Sequence, residues 1–309
     1  MQKTINRRKF FTDTAMSAAG IMLGSSIVGC STRHEAGSSS FKIMEEVKKY
    51  RKIDTHIHVN LFGSSTPEDL IDYADRLGVE KMVISRPITQ GAATPDAIIE
   101  SNDLVIKAMD QYPDRFVGQL TLNVIHQKES LEEISRCIDK GMVGLKVYNQ
   151  VKINDPLFFP IIEKFIDLKM IILMHSNSAI GMGGQRTKYG NIQPNASVPE
   201  DFVDAAKRYP DAMFQFAHTG GGGDFEYECK TMKDCKNIYV DLSGSNNEEN
   251  MINFAVKYLG EDRLFYASDN SFYQCVGSML ASNLNEKQKR KIFFENYNNI
   301  LKKGGYHVS

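Results

Sequence analysis

The feature that most limits what this chain can fold into is an eightfold alternation of short apolar runs with longer amphipathic stretches. The runs are rich in Val, Ile, Leu and Phe, and they cover residues 52–59, 81–86, 116–123, 143–148, 170–175, 212–218, 237–243 and 264–269. Apolar strands that alternate with helices indicate a parallel sheet covered on both faces. Eight such units predict an α/β fold, a closed (β/α)8 TIM barrel.

An open, doubly wound sheet is the alternative fold for this alternation. Such a sheet would be expected to carry a glycine-rich phosphate loop after its first strand. The first run ends instead in His56-Ile57-His58-Val59-Asn60, which contains no glycine. Helix starts are also readable, as at Thr66-Pro67, where a capping side chain precedes proline; Gly78 is expected to end this helix.

Composition sets the class of protein and excludes some partners. The chain has 309 residues, of which 42% are hydrophobic and 24% charged, and its net charge is −1. These values exclude extended disorder, and a barrel of about 250 residues is an ordinary single domain. No stretch concentrates Lys and Arg, so we expect no nucleic-acid partner.

The N-terminus has the layout of an export signal. Arg7 and Arg8 form a basic head, and an apolar run of small residues leads to Gly29-Cys30. The arginine pair resembles a twin-arginine signal, and the glycine–cysteine end resembles a lipoprotein signal with cleavage before Cys30. We therefore predict a signal over 1–30, a polar tether over 31–47 and a barrel domain over 48–309. The expected location is the cell envelope, with the protein exported and anchored in the membrane by a lipid on Cys30. The alternative is an uncleaved anchor helix.

Chemistry is predicted at the ends of the strand-like runs. His56 and His58 lie two residues apart in the first run, so their side chains point to the same side. His175 ends the fifth run, His218 the sixth and Asp269 the eighth. The carboxyl ends of barrel strands form one mouth, and imidazoles and a carboxylate that meet there are typical ligands of a catalytic divalent metal.

These motifs resemble those of one family in their order along the chain. The first run carries the HxH motif of the amidohydrolase superfamily. The later matching pieces are Gly144-Leu145-Lys146, Ile172-Leu173-Met174-His175, Phe216-Ala217-His218-Thr219 and Tyr266-Ala267-Ser268-Asp269. The last helical stretch, 292–301, is similar to the C-terminal helix of the amidohydrolase-related branch (amidohydrolase 2), which contains lactone hydrolases and nonoxidative decarboxylases. The resemblance covers roughly residues 50–302.

The resemblance implies a metal-dependent enzyme and a role for each strand-end residue. His56, His58, His175 and Asp269 would bind one divalent metal ion, with Zn²⁺ expected first and Mn²⁺ as an alternative. Asp269 and His218 would be catalytic, with His218 acting on the substrate. Related binuclear enzymes use a carboxylated lysine from the fourth strand, so Lys146 leaves a two-metal alternative open.

The activity predicted first is hydrolysis of a small carbonyl substrate, a lactone or an amide, by metal-activated water. A nonoxidative metal-dependent decarboxylase of a small carboxylic acid is the alternative. A barrel that binds a ligand without turnover is the third possibility. The sequence does not separate hydrolysis from decarboxylation, because the same five residues would serve both.

Other residues are candidates for contact with the small-molecule substrate. Arg86 ends the second run, and Lys146 and Tyr148 end the fourth. Arg186 and Tyr189 lie in a long segment after His175.

No structural disulfide is predicted among the remaining cysteines, Cys137, Cys229, Cys235 and Cys275. The sequence leaves the oligomeric state open and is compatible with a dimer.

The lipoprotein interpretation has a direct test. Cys30→Ser should leave the protein exported but should release it from the membrane fraction, because the acyl chains on Cys30 would supply the anchor. Fractionation followed by immunoblotting measures this. A Cys30→Ser protein that stays with the membrane would instead identify the segment as an uncleaved anchor.

Overall fold

The strands form one continuous parallel sheet. The computed structural model describes residues 42–60, 65–88, 93–177, 195–219, 224–244, 248 and 250–309. The strands found there are β1 (Ile53–His58), β2 (Lys81–Ser85), β3 (Phe116–Leu120), β4 (Gly144–Val147), β5 (Ile171–Met174), β6 (Met213–Phe216), β7 (Ile238–Asp241) and β8 (Leu264–Phe265). They are neighbours in chain order, and every adjacent pair from β1 to β8 is parallel. Each lies within its predicted run, so the predicted barrel is confirmed.

Helices follow the strands around the outside. Those in the described ranges are α1 (Ile43–Lys48), α2 (Pro67–Leu77), α3 (Pro95–Gln111), α4 (Gln127–Asp139), α5 (Phe159–Leu168), α6 (Pro199–Arg208), α7 (Phe225–Met232), α8 (Met251–Leu259), α9 (Phe272–Ala281), α10 (Glu286–Arg290) and α11 (Asn296–Lys303). A π-helical turn, Lys291–Glu295, joins the last two. The predicted boundaries of α2 are confirmed: Thr66 and Asp69 form a capping box at its start, and Gly78, with φ 67°, ends it.

The segment after β8 closes the barrel against β1. The Thr55 N–H donates to the Tyr266 carbonyl at 3.2 Å, and the Asp269 N–H donates to the His56 carbonyl at 2.8 Å. These bonds lie toward the carboxyl ends of the strands. The closure therefore sets the last strand segment beside the HxH residues.

The core consists of two apolar clusters, and neither fills the mouth of the barrel, where polar groups lie. The larger cluster packs the outer strand faces against the helices. A second cluster fills the bottom of the barrel and includes Ile53, Val83, Val117, Ile171, Met213 and Phe265, packed against Tyr297, Ile300 and Leu301 of α11. The C-terminal helix thus plugs the barrel at the amino ends of its strands. Buried polar side chains lie nearer the other end.

The compact unit begins earlier than the predicted domain boundary. It starts at Lys42, and α1 occupies the last part of the range predicted as a tether, with Val47 buried in the core. Residues 1–41, and with them the predicted signal and Cys30, lie outside the described residues. In the described ranges, no helix is long and apolar enough to cross a membrane.

The cysteines of the barrel are structural. Cys137, Cys229, Cys235 and Cys275 are buried free thiols. Burial raises the pKa of the Cys229 and Cys137 thiols well above their usual range, so these thiols stay protonated at neutral pH.

In the described contacts, one buried arginine hydrogen-bonds only to backbone carbonyls. The guanidinium of Arg263 is buried and donates hydrogen bonds to the carbonyls of Leu259, Met232, Lys233 and Cys235. Two of these residues end α8 and α7, where helix carbonyls lack intrahelical partners. Arg263, which directly precedes β8, therefore supplies hydrogen-bond donors to carbonyls at the ends of two helices.

We predict that Arg263→Met destabilises the protein by about 2–4 kcal/mol, since each lost hydrogen bond contributes about 1 kcal/mol and buried carbonyls remain unpaired. The urea midpoint of unfolding measures the loss. Arg290→Met is the control, because Arg290 is exposed in α10, and it should change the midpoint little. Equal midpoints for Arg263→Met and wild type would contradict the assignment.

Candidate metal centre and active site

Three predicted ligands meet at the barrel mouth. The Nε2 atoms of His56 and His58 are 3.3 Å apart. Oδ1 of Asp269 lies 3.1 Å from His58 Nε2 and 3.6 Å from His56 Nε2. The three residues form a group with the spacing to hold a metal ion. Both imidazoles are buried, and the carboxylate is partly exposed toward the mouth.

The ring protons of the two histidines lie on the side away from this group. His56 Nδ1 is 3.0 Å from Asp241 Oδ2, so it donates to that carboxylate. His58 Nδ1 is 3.1 Å from Ser85 Oγ, whose own hydrogen is directed to the Ile57 carbonyl. Burial lowers the pKa of both histidines, which keeps them neutral with a single ring proton. We therefore assign that proton to Nδ1 in each ring.

This protonation fits a metal ion. It leaves two imidazole lone pairs and a carboxylate oxygen facing one another, with no proton to share. Such an arrangement is repulsive unless a cation lies among the three atoms. Adjacent ligands at about 2.1 Å from one Zn²⁺ are about 3 to 3.5 Å apart, close to the 3.1 to 3.6 Å found here. His56, His58 and Asp269 would therefore hold the ion.

His175 and His218 form a pair beside this group. His175 Nδ1 is 3.0 Å from His218 Nε2, and His218 Nδ1 is 3.1 Å from Ser243 Oγ and 3.5 Å from Asp269 Oδ2. Since the Ser243 hydroxyl donates to Asp241 at 2.7 Å, it accepts from His218 Nδ1. His218 Nε2 then accepts from His175 Nδ1, and Nε2 of His175 carries the lone pair that a ligand needs. The role of His175 as the fourth metal ligand stays a prediction.

The sequence reasoning missed the buried carboxylate that organises the mouth. Asp241 ends β7, and its Oδ2 accepts from His56 Nδ1 and Gln215 Nε2, both at 3.0 Å. Its Oδ1 accepts from the His218 N–H at 2.9 Å and from Ser243. Burial alone would raise the pKa of Asp241, but its interactions with His56, His218 and Ser243 hold that pKa well below its usual range. The only signal in the sequence was an acidic residue near the end of the seventh apolar run, which did not reveal its partners.

Asp54 is a second acid of the motif that received no role. It is fully buried, and it accepts from Tyr73 Oη at 2.5 Å, from the Ser268 N–H at 3.0 Å and from the His56 N–H at 3.3 Å. Burial raises its pKa to about 7. It therefore ties the backbone of the HxH strand to the residue before Asp269.

The candidate substrate residues fall into different surroundings. Lys146 is fully buried in β4, and its Nζ has no hydrogen-bond partner in the described part of the chain. Burial lowers its pKa to about 8, against the opposing influence of Asp269 and Asp241. The Tyr148 ring stacks on His175 with 4.0 Å between the ring centroids. These two candidates therefore belong to the mouth.

Arg86 is held by neighbouring groups at the rim. Its guanidinium donates to the Asn60 carbonyl at 3.4 Å and to Ser101 Oγ at 3.3 Å. The two remaining candidates, Arg186 and Tyr189, lie outside the described residues. Their contact with the substrate therefore stays a prediction.

We predict that Asp241→Asn weakens metal binding by about 10- to 100-fold, the usual effect of losing the partner of a ligating histidine. An asparagine can turn its NH₂ toward His56 Nδ1, which would move the ring proton to Nε2 and remove the lone pair from the site. Titration with metal in a competing chelator measures the affinity. Asp211→Asn, at an exposed aspartate before β6, is the control. Unchanged affinity in Asp241→Asn would contradict this role.

Comparisons with known proteins agree with this fold. The family model described as Amidohydrolase matches residues 53–296. The chain is 24% identical over 272 residues to 2-amino-3-carboxymuconate-6-semialdehyde decarboxylase of Dictyostelium discoideum, an alignment that covers 76% of this chain and 73% of that protein.

Two solved structures share the fold. A dihydroxybenzoic acid decarboxylase from Polaromonas sp. JS666, with bound manganese and the inhibitor 2-nitroresorcinol, has a TM-score of 0.65 and 17% identity, covering 82% of this chain and 97% of its own. The 4-oxalomesaconate hydratase of Rhodopseudomonas palustris has a TM-score of 0.63 and 18% identity, covering 82% and 96%. Since the family model spans most of the barrel, from β1 to the first residue of α11, the chain belongs to the amidohydrolase family.

Proposed function

We propose that the protein is a metal-dependent, nonoxidative decarboxylase of a small carboxylic acid. The observation that carries this choice is the similarity of three quarters of the chain to a decarboxylase, together with the manganese-containing decarboxylase that shares its fold. Hydrolysis of a lactone or an amide, which the sequence analysis placed first, finds less support. The proposal therefore reverses the order of the two activities.

The charge of the barrel interior favours an anionic substrate. Lys146 brings a buried cation to the mouth, and the described residues give its Nζ no hydrogen-bond partner. A bound divalent ion would add two positive charges against the carboxylates of Asp241 and Asp269. A site with this surplus of positive charge attracts a carboxylate more than a neutral lactone or amide.

The ion would bind at His56, His58 and Asp269, with His175 as the proposed fourth ligand. The Zn²⁺ expected from the sequence and the Mn²⁺ of the structural relative both accept such a set of nitrogen and oxygen ligands. When bound, the ion would act as a Lewis acid that draws electron density from an oxygen of the substrate. Every other contribution comes from side chains.

His218 is the proposed proton carrier. Decarboxylation breaks the bond between the substrate carbon and the carboxylate, CO₂ leaves, and the electron pair left on the carbon must take a proton. His218 Nε2 lies 3.0 Å from His175 Nδ1, while its Nδ1 is held by Ser243. Asp269 Oδ2, 3.5 Å from Nδ1, stabilises the imidazolium form. In the resting site Nε2 has no proton and accepts from His175, so His218 would first take a proton from solvent at Nε2, then deliver it to the carbon and return to its neutral form.

The proposal predicts CO₂ release by protein loaded with Mn²⁺ or Zn²⁺ from planar, unsaturated carboxylic acids. In D₂O, the product should carry one deuterium on the carbon that lost CO₂, which mass spectrometry detects. The same preparations are tested for acid release from lactones and amides. Acid release without CO₂ would overturn the proposal in favour of hydrolysis, and no turnover on any substrate would favour a binding barrel.

His218→Asn should retain the metal and the fold but lose about two to three orders of magnitude in kcat, the usual effect of removing a proton-transfer group. His126→Asn is the matched control, because His126 lies at the start of α4, away from the histidine cluster. Metal content and turnover are measured on the same preparations. If His218→Asn loses its metal together with its activity, His218 is a metal ligand and not the proton carrier.

A further inference from the structure

The closure between the first and last strands is interrupted beside the predicted metal ligands. In a regular parallel ladder, the residue that donates to the carbonyl of one residue accepts from the N–H two positions later. Asp269 donates to the His56 carbonyl at 2.8 Å, so a regular ladder would join the His58 N–H to the Asp269 carbonyl. The Asp269 backbone is left-handed, with φ 46°, and the His58 N–H is bonded elsewhere.

A side-chain amide takes the place of the missing ladder bonds. Asn270 Oδ1 accepts from the His58 N–H at 2.8 Å, and Asn270 Nδ2 donates to the His58 carbonyl at 2.9 Å. The same Nδ2 donates to Ser65 Oγ at 2.7 Å. Both polar groups of the His58 backbone are thus bonded by one side chain. We name these two bonds between Asn270 and His58 the amide clasp.

The backbone of Asn270 suits this task. Its φ is 63°, a left-handed conformation that asparagine adopts more readily than most residues. Two successive left-handed residues, Asp269 and Asn270, turn the chain away from β8 at the point where the carboxylate must face the histidines. The side-chain amide then continues the pairing that the turned backbone no longer provides.

The clasp joins two of the three groups that would hold the ion. His58 supplies one nitrogen, and Asp269, the residue before Asn270, supplies the oxygen 3.1 Å away from it. A bond between the His58 backbone and Asn270 fixes the relative position of these two side chains. Small displacements matter here, because metal ligands must match the coordination distances closely.

We propose that Asn270 is a positioning residue of the metal centre. It acts through His58 and Asp269, and in the described contacts it touches neither of their ligand atoms. The role requires the metal site but is independent of whether the reaction is decarboxylation or hydrolysis. Among the described residues, the Asn270 side chain bonds His58 and Ser65.

The test uses Asn270→Gly, which accepts the left-handed backbone but removes the amide. Two quantities are measured: metal affinity, by competition with a chelator, and hydrogen exchange of the His58 amide in the metal-free protein. Affinity should fall about 10- to 100-fold. The His58 amide should exchange faster, because its acceptor is lost, while amides of β4 and β5 keep wild-type rates.

Ser65→Ala is the matched control. It removes the third bond of the same Nδ2 and leaves both bonds to His58, so affinity and His58 exchange should stay near wild type. Asn270→Ser, whose side chain is too short for both bonds, gives the same comparison if the glycine variant does not fold. Wild-type affinity in Asn270→Gly or Asn270→Ser would overturn the proposal, as would equal weakening in Ser65→Ala. Neither readout depends on the substrate, so failure here is distinct from failure of the proposed reaction.

Discussion

The Asp241 carboxylate is the interaction on which the mouth of the barrel depends. It accepts a hydrogen bond from the ring of His56 through one oxygen and from the backbone of His218 through the other. A buried carboxylate is unfavourable unless donors surround it, and the additional bonds from Gln215 and Ser243 supply them. One residue thereby fixes the ring proton of a proposed metal ligand and the backbone of the proposed proton carrier. Removing its charge would disturb both at once.

The barrel interior changes from apolar to polar between its two ends, and this division separates stability from chemistry. The bottom cluster around Tyr297 and Leu301 is buried and packs residues of most strands against the C-terminal helix. Toward the mouth, polar groups replace this packing, and some of them, such as Lys146 Nζ, have no partner in the part of the chain that the structure describes. Buried polar groups without partners destabilise a fold. Their presence at the mouth supports the proposal that this end of the barrel binds a ligand.

Strained backbone is concentrated at the same end. His218, Asp269 and Asn270 all have left-handed conformations, which non-glycine residues rarely adopt. Each is held by a bond to another strand end: the His218 N–H by Asp241, the Asp269 N–H by the His56 carbonyl, and Asn270 through its amide clasp. The left-handed backbone at these residues directs their side chains toward the mouth. Hydrogen bonds from distant parts of the chain compensate for the strain.

The sequence alone was sufficient to predict the architecture and the side chains that meet at the barrel mouth. Apolar runs fixed the eight strands, the capping box at Thr66 fixed the start of α2, and the two-residue spacing of His56 and His58 placed both rings on one side. These features are local, so they can be read from neighbouring residues. Asp241 and Asn270 could not be assigned in this way, because their partners lie 185 and 212 positions away and an aspartate or asparagine at a strand end has many ordinary roles. Only the tertiary structure decided which side chains bond one another across the closed barrel, since the barrel brings together strand ends that the sequence keeps far apart.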